Sequence, residues 1–412
     1  MTIYFIIIIG IILFEYILNC SVSYLNLGAL DPKLPKEFIN TFDEEKYIKT
    51  QEYTKVNTKY SFLTSTLSLV ISLSFIFGGV YNEIDLYVRS IGFNDIITGL
   101  CFFGILTIIS DILTMPFSLY KTFVIEEKFG FNKMTLSTFF IDKVKGYLLM
   151  ILLGGPLLYT ILYFFTNFTE NGWVYVWLLL VSFSIIIQPI FNIFIAPLFN
   201  KFTPLEEGPL LDKIKAYLAK VNFPVKKLEV MDGSKRSSHS NAYFSGIGGN
   251  KRIALFDTLV EQMDDDEIVS IIAHEVGHYK LKHIYTGIIL SAIQSGVMFY
   301  IMSLFLLNEE LFTVFKMDNL SIYASLLFFS MLYAPISMIL GVFFSIISRK
   351  NEFSADAYSV QTAKMPNSMI SSLKKLSKEN LSNLTPHWLN VFLNYSHPPV
   401  LDRLNAIREL EK

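Results

Sequence analysis

Residues 263–283 read MDDDEIVSIIAHEVGHYKLKH, and this segment determines how the polar part of the chain folds. The acidic run at residues 264–267 is typical of a helix start, where unpaired N–H groups and the positive end of the helix dipole favour negative charge. Apolar residues then recur at helical spacing and supply one face: they are Ile268, Ile271, Ile272 and Val276. The segment therefore predicts a helix with one apolar face.

Two histidines, His274 and His278, stand four residues apart on this predicted helix. Because residues i and i+4 lie on the same face, their imidazoles can bind one metal ion. Glu275 is held beside that metal without having to bind it. This is the H-E-x-x-H pattern, in which two histidines bind zinc and the glutamate is the general base. The alternative interpretation is a pair of surface histidines, with Glu275 as an ordinary solvated charge.

A catalytic zinc site needs a third protein ligand and an open position for water. Residues 351–356, NEFSAD, offer this ligand. In a continuous helix Glu352 and Asp356 lie on one side, so Glu352 can complete a site for one Zn²⁺ per chain. Asp356 can then accept a hydrogen bond from an imidazole N–H and fix the ring's orientation. Alone, the two acids could be a solvated helix face, but together with the H-E-x-x-H pattern they favour the zinc interpretation.

Around these motifs the chain is dominated by apolar stretches long enough to cross a bilayer, which takes about 20 residues of helix. The 412-residue chain is 52% hydrophobic and 17% charged, whereas soluble domains are about 25% charged. Its net charge of -2 gives no basic surplus for a nucleic-acid partner. Seven stretches are predicted to span the membrane: 2–18, 62–81, 96–120, 146–165, 174–194, 284–307 and 320–347.

The distribution of Lys and Arg predicts the orientation, because short cytoplasmic loops carry an excess of positive charge. The segments after the first and third stretches are rich in lysine. The loops after the second, fourth and sixth stretches contain only Arg89 and Lys316 between them. This alternation predicts an N-terminus outside the cytosol, with the H-E-x-x-H segment and the C-terminus inside it.

The predicted fold class is therefore an all-α multispan membrane protein with seven transmembrane helices and a small α+β zinc metalloprotease domain on the cytosolic side. Residues 1–199 contain spans 1 to 5, and residues 284–347 contain spans 6 and 7. Residues 200–283 form the protease domain with the H-E-x-x-H helix, and residues 348–412 complete that domain with the third zinc ligand. The chain is expected to lie in the lipid bilayer as an integral multi-pass protein.

Within the protease domain, residues 209–218 have the spacing of a helix, and residues 225–231, 240–246 and 252–256 read as strands. The middle strand is predicted to end in a tight turn at Gly246, Gly248 and Gly249. It is either an exposed edge that can pair with a peptide backbone or a surface hairpin without a partner.

Several polar residues fall inside the predicted spans, where they carry an energetic cost. Such side chains either pair with each other in helix contacts or line a water-filled space between the helices. The sequence leaves both interpretations open for these positions: Glu15, Asp111, Gln188, Asn192 and Gln294.

HEVGH at residues 274–278, combined with NEFSAD at 351–356, resembles the membrane-embedded zinc proteases typified by the type I CAAX prenyl protease. Shorter stress-response membrane proteases share these motifs but have fewer spans. The resemblance covers nearly the whole chain and includes these further segments: DEEKYIKTQEY at 43–53, FVIEEKFGFN at 123–132, IAPLFNKFTPL at 195–205, SKRSSHSNAYFSG at 234–246 and YSHPP at 395–399.

The resemblance implies that His274, His278 and Glu352 bind zinc and that Glu275 is the general base, as the motifs also predict. It also implies that a strand holds the substrate backbone, formed by Asn241, Ala242 and Tyr243. Finally, it implies that His397 and Arg403 lie near the substrate carbonyl, where they could stabilise developing negative charge.

Motifs and resemblance together predict a zinc endopeptidase that removes the last three residues after a prenylated cysteine, or cuts another membrane-associated peptide. The expected partner is thus a prenylated or membrane-associated peptide. One alternative is a quality-control protease for misfolded or translocon-stalled membrane proteins, and another is a non-proteolytic scaffold with structural zinc. The expected location is the endoplasmic reticulum membrane in a eukaryote and the cytoplasmic membrane in a bacterium.

Overall fold

The computed structural model describes residues 2–168, 170–245 and 251–412. Within these ranges the chain is largely helical, and seven of its helices are long and apolar enough to cross a membrane. The predicted fold class is thereby confirmed, and the chain is an integral membrane protein. The long helices are Ile3–Gly28, Glu44–Gly78, Asp95–Phe129, Leu136–Asn167, Gly172–Phe199, His283–Ser303 and Ile322–Ala363.

Several of these helices are longer than the predicted spans. The 42 residues of Ile322–Ala363 extend over roughly 63 Å at about 1.5 Å per residue, twice the roughly 30 Å of a hydrocarbon core. Hydropathy detects only the apolar part, so the polar continuation that carries Glu352 and Asp356 was predicted from the motif instead. The second long helix ends at Gly78, three residues before the predicted end of that span, because Gly79 adopts a left-handed φ of 69°.

Shorter helices connect the long ones or lie in the polar unit, by which we mean residues 200–283 and 348–412. They are Val80–Ser90, Pro209–Lys220, Asp257–Gln262, Asp265–Lys280, Glu309–Val314, Pro366–Glu379, Trp388–Asn394 and Val400–Glu409. The helix predicted at residues 209–218 is present as Pro209–Lys220, which begins with a proline that needs no N–H partner in the first turn.

A four-stranded mixed sheet lies in the polar unit, in the order β1-β2-β4-β3. Its strands are β1 Phe202–Pro204, β2 Lys227–Met231, β3 Ala242–Ser245 and β4 Arg252–Phe256. β2 and β4 are parallel, and the outer pairs are antiparallel. The three predicted strands are present and β3 lies at an edge, whereas β1 was missed because three residues show no periodicity. The turn predicted at Gly246, Gly248 and Gly249 lies outside the described residues.

The lysine-rich segments meet at one end of the molecule. The start of the second long helix contacts the C-terminal part through Lys46 and Glu379, whose Nζ and Oε2 atoms are 3.2 Å apart. The fourth long helix, near its start, contacts the sheet region through Asp142 and Arg236, 2.7 Å from Oδ2 to Nε. These contacts agree with the predicted alternation of the basic segments onto one face.

Close packing brings the two sequence motifs together. The helix Asp265–Lys280 crosses the last long helix at Gly277, where an added Cβ would lie 3.2 Å from the Cβ of Tyr358 and 3.3 Å from the Cα of Ala355. A side chain here would push the helices apart, so glycine permits the approach. The N-terminal loop also joins this unit, since Phe38 packs in one cluster with Leu404, a contact that the sequence did not indicate.

The polar residues within the spans lie in two kinds of surroundings. Asp111 pairs with Lys143 and accepts a hydrogen bond from Tyr147. Glu15, by contrast, faces a cavity of about 640 Å³ between long helices, and Asn192 lines another of about 780 Å³.

Candidate metal centre

The helix that carries HEVGH is fixed firmly at its start. Asp264 caps it, and the Asp264 N–H donates to Glu267 Oε2 over 2.8 Å, which completes a capping box. Glu267 is buried and also accepts from Lys375 Nζ at 2.8 Å and from Ser371 Oγ at 2.6 Å. These contacts hold the helix against Pro366–Glu379 and so set the direction in which its histidines project.

Three side chains converge from two helices. His274 Nε2 and His278 Nε2 are 3.1 Å apart. Glu352 Oε2 lies 3.5 Å from the first nitrogen, and Glu352 Oε1 lies 3.2 Å from the second. Ligands about 2.05 Å from a tetrahedral zinc ion are separated by about 3.3 Å, so these separations have the size that zinc requires. The donor set of two imidazoles and one carboxylate is also that of a catalytic zinc site with an open position.

One atom of this group lacks an ordinary partner. Glu352 Oε2 is buried, and no residue in the described ranges hydrogen-bonds to it. Its charged neighbours, His274 Nε2 at 3.5 Å and Arg403 Nη1 at 3.6 Å, lie beyond ordinary hydrogen-bond distance. A buried carboxylate oxygen without a hydrogen bond is costly, whereas a cation bound between the three side chains would satisfy it. The residues therefore fit a divalent metal.

Asp356 and Arg403 stand behind His274. His274 Nδ1 lies 2.8 Å from Asp356 Oδ1, and Arg403 donates to both Asp356 oxygens, at 2.8 Å from Nε and 2.6 Å from Nη2. A carboxylate in this position holds the imidazole so that its other nitrogen faces the metal site. Burial opposes a charge on His274, but Asp356 and Glu352 outweigh it and raise the pKa of the imidazole to about 9. A metal that binds here must displace that proton.

Glu275 lies beside the histidines in a cavity of about 270 Å³ that is also lined by His274, Glu352 and Asn241. Burial raises the pKa of its carboxyl, although His274, His278 and the backbone amide of Phe244 oppose the shift. A carboxylate whose pKa is raised toward neutrality is suited to accept a proton in catalysis.

The strand predicted to bind substrate borders the same cavity. Asn241 and Ala242 line it, and the Asn241 side chain accepts from the Ala242 N–H at 2.8 Å. Tyr243 points to the opposite face of the sheet, because side chains alternate along a strand, and its partner in β4 is Ala254. β3 pairs with β4 on one side, so its other side is an edge next to Glu275.

His397 and Arg403 lie at the same cavity in different ways. His397 is 64% exposed, and its Nε2 is 3.5 Å from Glu352 Oε1. Arg403 is largely buried, with Nε and Nη2 engaged by Asp356 and Nη1 3.6 Å from Glu352 Oε2. The structure thus brings all the predicted site residues to one region except for the Tyr243 side chain, and their roles remain predictions.

Sequence reasoning missed two features of the site. His283 contacts His278, with 3.0 Å between their Nδ1 atoms. Its position as a third histidine at the end of residues 263–283 could have indicated this contact. The segment before β3 is also anchored on the loop after the third long helix, since His239 stacks on Phe131 with 3.8 Å between ring centroids and the Ser238 N–H donates to the Phe131 carbonyl.

Comparison with known families gives two matches that together cover most of the chain. Residues 23–201 match a profile described as "CAAX prenyl protease N-terminal, five membrane helices". Residues 204–411 match the profile of peptidase family M48.

Curated proteins and a solved structure agree with these profiles. The chain is 36% identical to a CAAX prenyl protease 1 homolog of Oryza sativa, over 92% of this chain and 91% of that one. It is 33% identical to CAAX prenyl protease 1 of Saccharomyces cerevisiae, over 92% and 89% of the two chains. The crystal structure of S. mikatae Ste24p superposes with a TM-score of 0.94 at 32% identity and covers 99% of both chains.

Proposed function

Since this chain belongs to peptidase family M48 and is a membrane metalloprotease of the CAAX prenyl protease type, we propose that it is a zinc endopeptidase that removes the C-terminal tripeptide after a prenylated cysteine. The names of its relatives support the prenylated substrate, and the donor set supports zinc. The proposed metal content is one Zn²⁺ per chain, bound by His274, His278 and Glu352.

One observation carries this proposal. Two imidazole nitrogens and a carboxylate oxygen lie within 4.8 Å of one another, and Glu275 shares the cavity with two of those ligands. A structural zinc site is usually closed by four protein ligands, whereas three ligands with a carboxylate beside them are typical of hydrolysis. The described residues therefore favour an enzyme over a scaffold.

When bound, zinc supplies a Lewis acid that polarises the scissile carbonyl and lowers the pKa of water to about 7. Glu275 accepts the proton of the attacking water at its carboxylate and returns it to the departing amine. The burial that raises the pKa of Glu275 favours the first step, because a more basic carboxylate accepts a proton more readily.

The remaining site residues bind and orient the substrate in this proposal. The edge of β3 at Asn241 and Ala242 pairs with the peptide backbone next to Glu275, while Tyr243 anchors the strand from its other face. His397, exposed at the cavity, approaches the substrate carbonyl and stabilises its developing charge. Arg403 contributes through Asp356, which it holds in place, and through its remaining Nη1 group.

We further propose the domain division predicted above, with the protease unit formed by residues 200–283 and 348–412. The alternation of basic residues supports a cytosolic position for this unit, and in a eukaryotic cell the proposed host membrane is the endoplasmic reticulum. In a bacterium it is the cytoplasmic membrane.

Cleavage-site mapping by mass spectrometry tests the proposal. The purified chain is incubated with a farnesylated CAAX peptide and with the same peptide lacking the lipid, each with and without a zinc chelator. The Glu275→Gln variant is the matched control for contaminating proteases.

The proposal predicts one cut, directly after the cysteine, in the farnesylated peptide alone, which the chelator abolishes. Equal cleavage of both peptides would refute the prenyl requirement and favour the quality-control alternative. Chelator-resistant cleavage by the wild type that is absent from the Glu275→Gln control would contradict the metal mechanism.

A further inference from the structure

The turn after the HEVGH helix carries a histidine back to the metal centre. That helix ends at Lys280, and Lys282 adopts a left-handed φ of 62° before the next helix begins at His283. A left-handed backbone is unfavourable for a residue with a side chain, so packing around the turn must maintain it. The result of this turn is that the His283 ring lies edge-on to His278, with an interplanar angle of 75°.

His283 lies in a hydrogen-bonded chain with a defined direction. Its Nδ1 is 3.0 Å from His278 Nδ1, and its Nε2 is 3.3 Å from Ser354 Oγ. Ser354 Oγ in turn donates to the Asn351 carbonyl over 2.9 Å. Because the Ser354 proton points at that carbonyl, its oxygen accepts from the Nε2–H of His283.

This direction assigns the protons of both histidines. A neutral His283 with its proton on Nε2 has a lone pair on Nδ1, which accepts the Nδ1–H of His278. The proton of His278 is then on Nδ1, and its Nε2 lone pair faces the triangle formed with His274 and Glu352. The opposite arrangement would place a proton on His278 Nε2 and prevent it from binding a metal.

We propose that His283 is a positioning residue that, through its contact with His278, fixes the tautomer and ring orientation in which His278 binds the metal. The inference rests on the proposed zinc site and adds a residue to it. His283 does for His278 what Asp356 does for His274. One ligand is oriented by a carboxylate and the other by a neutral imidazole.

The location of Ser354 explains why the contact is well placed. Ser354 lies on the last long helix between Glu352 and Asp356, so the element that supplies the third ligand also holds His283. On this helix Glu352 thus faces the metal site, and Asp356 contacts His274. Ser354 contacts His283, which in turn contacts His278. A partner that orients a metal ligand typically contributes about 10- to 100-fold to metal affinity.

Two substitutions distinguish a role of His283 in orienting His278 from a role in filling space. His283→Leu keeps much of the volume but removes the acceptor, whereas His283→Asn places an amide oxygen near the position of Nδ1. The affinity of the full-length, detergent-solubilised chain for Zn²⁺ is measured by competition with a chromophoric chelator. Thermal unfolding of the metal-free variants checks that both fold, and the visible spectrum of Co²⁺-loaded protein reports the ligand geometry.

The inference predicts that His283→Leu binds Zn²⁺ about 10- to 100-fold more weakly and alters the Co²⁺ spectrum, while His283→Asn restores both to near the wild-type values. Wild-type affinity in His283→Leu, or equal losses in both variants, would overturn the role of His283 while leaving the zinc protease intact. Failure of the wild-type chain to bind one Zn²⁺ would instead overturn the proposed function.

Discussion

Two buried aspartate–arginine pairs lie in different parts of the molecule and do different things. Asp85, on the short helix after the second long helix, is fully buried and accepts from Arg89 Nε at 2.9 Å. Tyr323 donates to its other oxygen, and the Tyr323 ring packs on Phe102 with 5.2 Å between centroids. Both oxygens of Asp85 are thus paired within the protein.

In the second pair Asp356 is likewise buried, but it also contacts one of the three side chains that converge on the metal site. Arg403 holds both its oxygens, and Oδ1 also lies 2.8 Å from His274 Nδ1. The opposite nitrogen of His274 faces His278, Glu352 and the cavity. Burial and ion pairing therefore do not distinguish a functional site. What distinguishes this site is that three possible metal ligands converge at one cavity. The following experiments test whether this convergence marks the functional site.

The largest effect is expected from removing a ligand. His274→Ala leaves only two of the three ligands and removes the imidazole that Asp356 orients, so zinc content should fall to near zero and cleavage of the farnesylated peptide to background. Metal analysis of the purified variant, together with the peptide assay, measures both. Stoichiometric zinc in His274→Ala would remove this residue from the site.

Removing the base should separate chemistry from metal binding. Glu275→Gln keeps the shape of the side chain but cannot accept a proton, so activity should fall by at least about 1,000-fold while zinc content stays at one per chain. Turnover assays and metal analysis on the same preparation measure the two. Normal turnover would refute the assignment of Glu275.

Matched substitutions of Asp356 and Asp85 test whether the two aspartate–arginine pairs differ in function. Asp356→Asn should weaken zinc binding about 10- to 100-fold, because it removes the carboxylate that orients His274. Asp85→Asn should leave zinc affinity unchanged and lower the free energy of unfolding by about 3 kcal/mol, since it breaks a buried charge pair. Chelator competition and thermal unfolding measure these effects. Equal changes in zinc affinity for both variants would contradict the distinction.

The smallest effect is a displacement of the pH profile. Burial raises the pKa of Glu275 above the ordinary glutamate value of 4.5. The base must be deprotonated to act, so activity is present above the raised pKa and is lost as the pH falls through it. The acid limb of kcat/KM should therefore have a midpoint above 4.5. A midpoint at or below the ordinary value would show that the charge of the bound metal, rather than burial, governs the pKa of this carboxyl.

Much of this site could be predicted from the sequence because it depends on helical spacing. Four-residue separations place His274 beside His278 and Glu352 beside Asp356 whatever surrounds them. The apolar stretches likewise indicated seven membrane helices, although not their polar continuations. A local sequence pattern does not predict the contact of His283, which depends on the conformation of a turn. It also does not predict a strand as short as β1.

The central claim is that His274, His278 and Glu352 bind one zinc ion. Anomalous diffraction at the zinc absorption edge, from crystals of the purified chain, tests it most directly. The account predicts a single peak between the two Nε2 atoms and the Glu352 carboxylate, at about 2.0–2.1 Å from each nitrogen. A peak elsewhere, or Glu352 turned away from the metal, would contradict it.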